Sequence, residues 1–343
     1  MITSAVSSRQ PSRPAWTLEQ LERELAVALN ASIDISSART YGSALNSWIE
    51  FCRLHEFSTE PTEKTLAFFV VYRSSHISPN SVDSYLSGIC NQLEAVFPRV
   101  REMRKSLLVS RALKGSKRLH GRPVKRKNPL TPLHLQQAIN TLPPSPSHDD
   151  LLFTSMLLSG FRALHRLGEL TMPDNPRLRN PRKYTKRETV TLNEDSYEYW
   201  LPAHKADIAF EGNRIIISDA AALSFFRRYL TSRDRLLPLN PYLWAREDGQ
   251  MPPRAWFIRR LRHLFPDPNI AGQSLRAGGA TALAEDGALP HVIQAAGRWS
   301  SDAFYVYLRK HPTLLHGILR AGSTHNGAPA SASSSQSPNT LPS

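Results

Sequence analysis

Between Thr189 and Ser218 the chain switches from helical to strand-like patterning, and this switch limits what it can fold into. Thr189-Val190-Thr191-Leu192, Tyr197 to Leu201 and Arg214 to Ser218 are rich in β-branched and aromatic residues and are separated by turn residues. Three short segments make a small sheet. The clear periodicity elsewhere is helical. Tyr41, Leu45, Trp48, Ile49 and Cys52 fall on one helical face. Pro61-Thr62-Glu63 opens the next helix, which carries Leu66, Phe69 and Val70. Ser78-Pro79 offers a capping hydroxyl and then a proline whose missing N–H costs nothing at a helix start. Val82, Tyr85, Leu86, Ile89 and Leu93 form the following stripe, and Pro98 ends it. Helical patterns return over Leu130 to Leu142 and Asp149 to Gly160, with Ser147 and Asp150 spaced as a capping box, and resume after Ala220. The expected fold class is mainly α: a helical first domain of four or five helices, then an α-rich domain with a small β-sheet. No internal repeat is evident.

The 343 residues suggest about two domains. The boundaries read as a polar 1–16 tail, a helical domain over 17–120, a basic linker over 121–129, a second domain over 130–322 and a Ser/Ala/Pro-rich tail over 323–343. Two cysteines, Cys52 and Cys90, lie inside helical patterns and read as reduced core residues. The start of the chain is polar and does not have the form of a secretory signal. The longest apolar run, Leu66 to Tyr72, is too short to span a bilayer. No Cys/His cluster has zinc-ligand spacing, so neither metal nor cofactor is expected.

Lysine and arginine total 43 against 29 acidic residues, a net charge of +14. That excess calls for a polyanionic partner, most simply double-stranded DNA. Twelve of the 29 residues from Arg99 to Lys127 are Lys or Arg, and Glu102 is the one acid among them. Such a run repels itself unless phosphates neutralise it. Arg104, Lys105, Arg111, Lys114, Lys117, Arg118, Lys125, Arg126 and Lys127 are the candidate DNA contacts. The Lys125-Arg126-Lys127 core also has the form of a nuclear import signal.

Charge gives binding but no reaction, and four local features go further. In Gly160 to Leu170, Arg166 and Glu169 share a helical face. Alone they read as a surface ion pair. Trp200 to Asp207 places Lys205 at the tip of a strand pair, alone a solvated turn. In Gly272 to Thr281, Arg276 starts a helix whose Gly278 and Gly279 allow close backbone approach, a natural phosphate site. In Gly297 to Tyr307, Ser300 or Ser301 can cap a helix carrying Phe304, Tyr305 and Tyr307, alone a core segment.

In order, Arg-x-x-Glu-Leu, a hairpin Lys, Arg-x-Gly-Gly, Gly-x-Trp-Ser-Ser and Tyr resemble the tyrosine recombinase (phage-type integrase) family, over about residues 30 to 320. SLRAGGATALAEDG and GRWSSDAFYVYLRK are especially similar to integrase-like sequences of fungal genomes and mobile elements. The resemblance implies a core-binding domain in front and a catalytic domain behind, with DNA recombination or integration as the activity. It implies that Arg166 and Arg276 hold the non-bridging phosphate oxygens and that Glu169 positions Arg166. It makes Tyr307 the nucleophile, Lys205 the general acid and Trp299 the occupant of the His/Trp position. Tyr307 lies eight residues past Trp299, close to family spacing, and about 200° around a helix from Tyr305. The family's active assembly is a tetramer on two DNA sites, and the amphipathic segment Pro312 to Arg320 matches the one that docks on a neighbour.

One position departs. Gln273 stands where the family has histidine, three residues before Arg276. A glutamine amide can donate to a phosphate but cannot exchange a proton at neutral pH. Two readings therefore stand: a recombinase, and a catalytically impaired, recombinase-derived DNA-binding protein. A type IB topoisomerase is a third, opposed by the helical front half.

Overall fold

The computed structural model describes residues 14–31, 35–123, 126–202 and 212–299. Lys125, the segment holding His204 and Lys205, and everything from Ser300 onward, with Tyr305, Tyr307 and the Pro312 to Arg320 segment, lie outside the described residues. Contacts divide the chain into two compact units, 1–124 and 125–343.

The first unit contains α1 (Leu18–Ala31), α2 (Ile35–Leu54), α3 (Glu63–Ser74), α4 (Pro79–Leu93), α5 (Val100–Lys105) and α6 (Leu107–His120). Its core is Trp48, Phe51, Leu66, Phe69, Val70, Val82, Leu86, Ile89 and Val109. The Trp48 indole donates to the Thr59 carbonyl at 2.9 Å, so even its polar atom is satisfied. Ile49 was expected on the buried stripe but is 45% exposed. It sits one residue, about 100° of helix, beyond Trp48, and α2 buries a narrower face than its sequence pattern covers. Among the described residues there are six helices where four or five were expected. The reason is Ser106: its extended backbone (ψ 154°) ends α5, and its hydroxyl accepts the Val109 N–H at 3.4 Å to start α6. Thr62 and Thr65 cap α3 reciprocally at 3.1 and 2.9 Å. Ser78 makes no side-chain cap, so Pro79 at the first turn carries the start of α4 by its fixed φ alone. Cys52 and Cys90 are buried free thiols, and burial pushes Cys52 up to about 11.

The second unit is built on α8. Its elements are α7 (Pro132–Asn140), α8 (His148–Arg162), α9 (Leu167–Leu170), three 3-10 turns, β1 (Thr191–Leu192), β2 (Tyr197–Leu201), β3 (Asn213–Ile217), α10 (Ala220–Leu236), α11 (Arg254–Leu264), α12 (Gln273–Glu285) and α13 (Pro290–Ala296). Apart from Asp149 and Asp150, α8 is buried from His148 to Phe161. It is therefore a central helix, which explains its apolar content on every side. Ser147 and Asp150 form the expected capping box. The sheet is antiparallel in the order β1-β2-β3. Tyr197, Tyr199, Leu201, Ile215 and Ile217 face inward, and Tyr197 stacks on Phe226 with ring centres 3.9 Å apart. The first strand is shorter than the sequence suggests because Arg187–Thr189 forms a 3-10 turn. The expected class, mainly helical with a small sheet, is the observed one. Among the described residues no helix is long and apolar enough to cross a membrane.

Candidate active site

Three glycines bring the site together. A Cβ on Gly272, just before α12, would lie 2.6 Å from a Leu167 methyl of α9. On Gly278 it would lie 2.2 Å from the Leu130 carbonyl oxygen, and on Gly279 2.0 Å from that of Phe161. No other residue type lets α12 approach the end of α8 this closely. Arg276 on α12 is thereby set against the turn that carries Arg166.

That turn is built by Leu164, whose φ is +53°. This left-handed conformation is costly for a bulky side chain. It aims the Leu164 carbonyl at Arg276, whose Nη1 donates to it at 2.5 Å. The other terminal nitrogen of Arg276 donates to the Gly297 carbonyl. Two carbonyls thus fix the plane of a guanidinium that is almost fully buried. The Trp299 ring completes its housing, with its centre 4.0 Å from the guanidinium carbon.

Arg166 and Glu169 do not sit along one helix face as the spacing suggested. Arg166 is the cap of the four-residue α9. The Glu169 carboxylate reaches back to accept from the Arg166 backbone N–H and from its Nη1, both at 3.1 Å. Two further partners of Glu169 were missed by sequence reasoning. Arg298 donates from Nη2 at 3.1 Å, and its side chain is only 8% exposed. His165, fully buried, contacts Glu169 through Nδ1 at 2.9 Å and the Tyr199 hydroxyl through Nε2 at 2.6 Å. His165 was visible as the i, i+4 partner of Glu169. Arg298 was not, because its φ of +54° turns it inward in a way no periodicity encodes.

Burial works to raise the Glu169 carboxyl. The His165 hydrogen bond and the nearby Arg298 and Arg166 charges more than offset it, so Glu169 is held ionised, well below its usual range. Burial lowers His165, and the Arg298 and Arg276 charges push the same way, so the imidazole is neutral. With Nδ1–H donating to the carboxylate, Nε2 is the acceptor and the Tyr199 O–H donates to it. The centre therefore holds three arginines against one carboxylate, a net positive pocket suited to a phosphodiester.

The structure brings Arg166, Glu169, Arg276 and Trp299 together. Gln273 stands exposed at the start of α12, one turn before Arg276. Of the candidate DNA contacts, Arg104 and Lys117 both bind Asp83, at 3.1 and 2.9 Å. Lys105, Arg111, Lys114, Arg118 and Arg126 are exposed, and Lys127 is exposed while reaching the Pro268 carbonyl at 2.8 Å. A basic surface that sequence reading passed over lies on α11, where Arg254, Arg259, Arg262 and His263 are exposed and no residue is acidic.

No protein-family model and no curated protein matches the chain. Solved structures do. The XerH site-specific recombinase bound to palindromic difH substrate, in a post-cleavage complex, matches at TM-score 0.54 and 14% identity over 83% of this chain and 79% of that one. The Tn1549 transposon integrase in complex with transposon right end DNA matches at 0.53 and 11% over 85% and 99%. The lambda integrase tetramer bound to a Holliday junction matches at 0.50 and 14% over 88% and 82%. At these identities the likeness is one of fold, and the fold of this chain is that of the tyrosine recombinases and integrases.

Proposed function

We propose that this protein breaks and rejoins double-stranded DNA through a 3′-phosphotyrosine intermediate, in site-specific recombination or integration. The observation that carries the reading is the arginine centre: Arg166 and Arg298 on Glu169, with Arg276 stacked on Trp299. Guanidinium groups fixed before substrate arrives stabilise the charge that builds on the phosphorane oxygens without reorganising. Arg166 and Arg276 hold the non-bridging oxygens. The Tyr307 hydroxyl gives its proton to water as its oxygen attacks phosphorus, the bond to the 5′ oxygen breaks, and Lys205 protonates that oxygen. The phosphotyrosine keeps the bond energy, so rejoining by the 5′ hydroxyl is the same step reversed.

In this reading residues 17–120 are the core-binding domain and 130–322 the catalytic domain. The active species is a homotetramer on two DNA sites, as the lambda integrase is on a Holliday junction. The Lys125-Arg126-Lys127 run supports a nuclear location, and the wording of the motifs supports a mobile-element origin.

The test is a nicked duplex suicide substrate, read as a covalent adduct on a denaturing gel. An adduct that Tyr307→Phe abolishes and Tyr305→Phe leaves intact supports the proposal. Specific binding without any adduct would favour the second reading, a recombinase-derived DNA-binding protein. The exposed Gln273, neither an acid nor a base at neutral pH, is what supports that alternative.

A further inference from the structure

Between α9 and β1 the chain runs through thirteen residues, Asn175 to Arg187, that include six cations and no acid. Neither the helical nor the strand periodicity accounts for this stretch. It contains Asn-Pro-Arg twice, five residues apart, and both copies fold alike. Pro176–Leu178 and Pro181–Lys183 are 3-10 turns. In each, the asparagine side chain accepts the arginine backbone N–H, at 3.0 Å for Asn175 to Arg177 and 3.1 Å for Asn180 to Arg182. Arg179 and Asn180 link the turns in extended conformation.

Three of the other cations of the stretch are engaged by the protein itself. Arg179 donates to the Pro173 carbonyl at 3.1 Å, Arg187 grips Asp234 with a 2.7 Å contact, and Lys186 lies 4.6 Å over the Tyr242 ring. These contacts pin the backbone. Arg177 and Arg182 are exposed, and no side-chain partner holds either among the described residues. Two guanidiniums are thus presented from turns whose backbone is already fixed, which removes the backbone part of the ordering cost.

The stretch is anchored beside α11. The Asp174 carboxylate caps the Ala255 N–H at 2.8 Å, and the Arg254 N–H donates to the Met172 carbonyl at 2.9 Å. The stretch therefore leaves the start of α11 at its first residue.

We propose that the tandem turns are a second phosphate-backbone contact for duplex nucleic acid, separate from the Arg166–Arg276 centre. The inference rests on the DNA-processing reading above. A row of phosphates favours guanidinium forks at a regular spacing along a fixed backbone. An acidic peptide would need an apolar anchor, whereas the exposed residues of the two turns are Pro176, Arg177, Pro181 and Arg182.

The experiment titrates the full-length protein with a long, mixed-sequence, fluorescent duplex at several salt concentrations. Arg177→Ala combined with Arg182→Ala should make the log–log salt slope shallower by about 1.8. It should leave the melting temperature unchanged. Arg228→Ala with Arg235→Ala, on α10, removes equal charge and should leave the slope as it is. Equal shifts in both double variants would reduce the effect to net charge and overturn the proposal. An unchanged slope in the first would do the same, and loss of its retention on immobilised polyglutamate would assign the turns to an acidic protein. Wild-type protein that binds no duplex would instead remove the DNA reading itself. As a positional check, Arg182→Cys carrying a photo-crosslinker should capture duplex more than Arg235→Cys, since the two native thiols are buried.

Discussion

Arg298 reaches Glu169 at 3.1 Å from a left-handed backbone, so the residue before Trp299 is tied to the residue three after Arg166. This contact joins two segments 129 positions apart and makes the site a single charged unit. It also divides the labour: Arg298 neutralises Glu169 from within, while Arg166, 29% exposed, keeps a face toward solvent.

Arg298→Ala should therefore cost more stability than Arg166→Ala. Removing one partner of a buried charged pair leaves the other undercompensated, about 3 kcal/mol where no other partner remains. His165 and Arg166 stay on Glu169, so a loss of roughly 1–3 kcal/mol is expected in urea unfolding. Arg166→Ala should unfold near wild type yet lose adduct formation. The reverse ranking would show that the two roles are misassigned.

Stability should fall in acid in two stages. His165 has a folded value below its ordinary 6.5, so between the two the unfolded chain binds a proton that the folded one does not. Its contribution is complete above pH 6.5 and declines as pH falls below it. Glu169 is also lowered, from 4.5, so its contribution persists to lower pH and goes as pH passes through the depressed value. Melting temperature against pH should show the first stage in wild type. His165→Gln should lack it.

Gln273→His should raise the rate of adduct formation if proton transfer limits the reaction, by up to about 10²–10⁴-fold. The side chain is exposed at the start of α12, so folding should be unaffected. A burst experiment on the suicide substrate measures it, and an unchanged rate would place the bottleneck elsewhere.

Glycine substitutions should separate packing from propensity. Gly279→Ala puts a methyl 2.0 Å from the Phe161 carbonyl oxygen, and neither backbone can yield easily. A loss of about 3 kcal/mol or more is expected, with aggregation at expression a real outcome. Gly168→Ala meets nothing within 4 Å and should be neutral or stabilising by about 0.5–1 kcal/mol.

The sequence by itself determined the fold class, most element starts and the order of the motif residues. Period, proline position and capping pairs such as Ser147 with Asp150 are local, and local chemistry decides them. It undercounted the helices of the first unit, because a single serine can end one helix and begin the next without disturbing the charge pattern. Tertiary structure alone decided that Arg166 caps α9 instead of lying along it. It also recruited Arg298 and Tyr199, and set the Arg276 guanidinium on Trp299. Each of these depends on a left-handed residue, Leu164 or Arg298, or on the glycine-mediated approach of α12 to α8. Those conformations are locally unfavourable and exist because packing elsewhere outweighs them, so a sequence window has no signal for them.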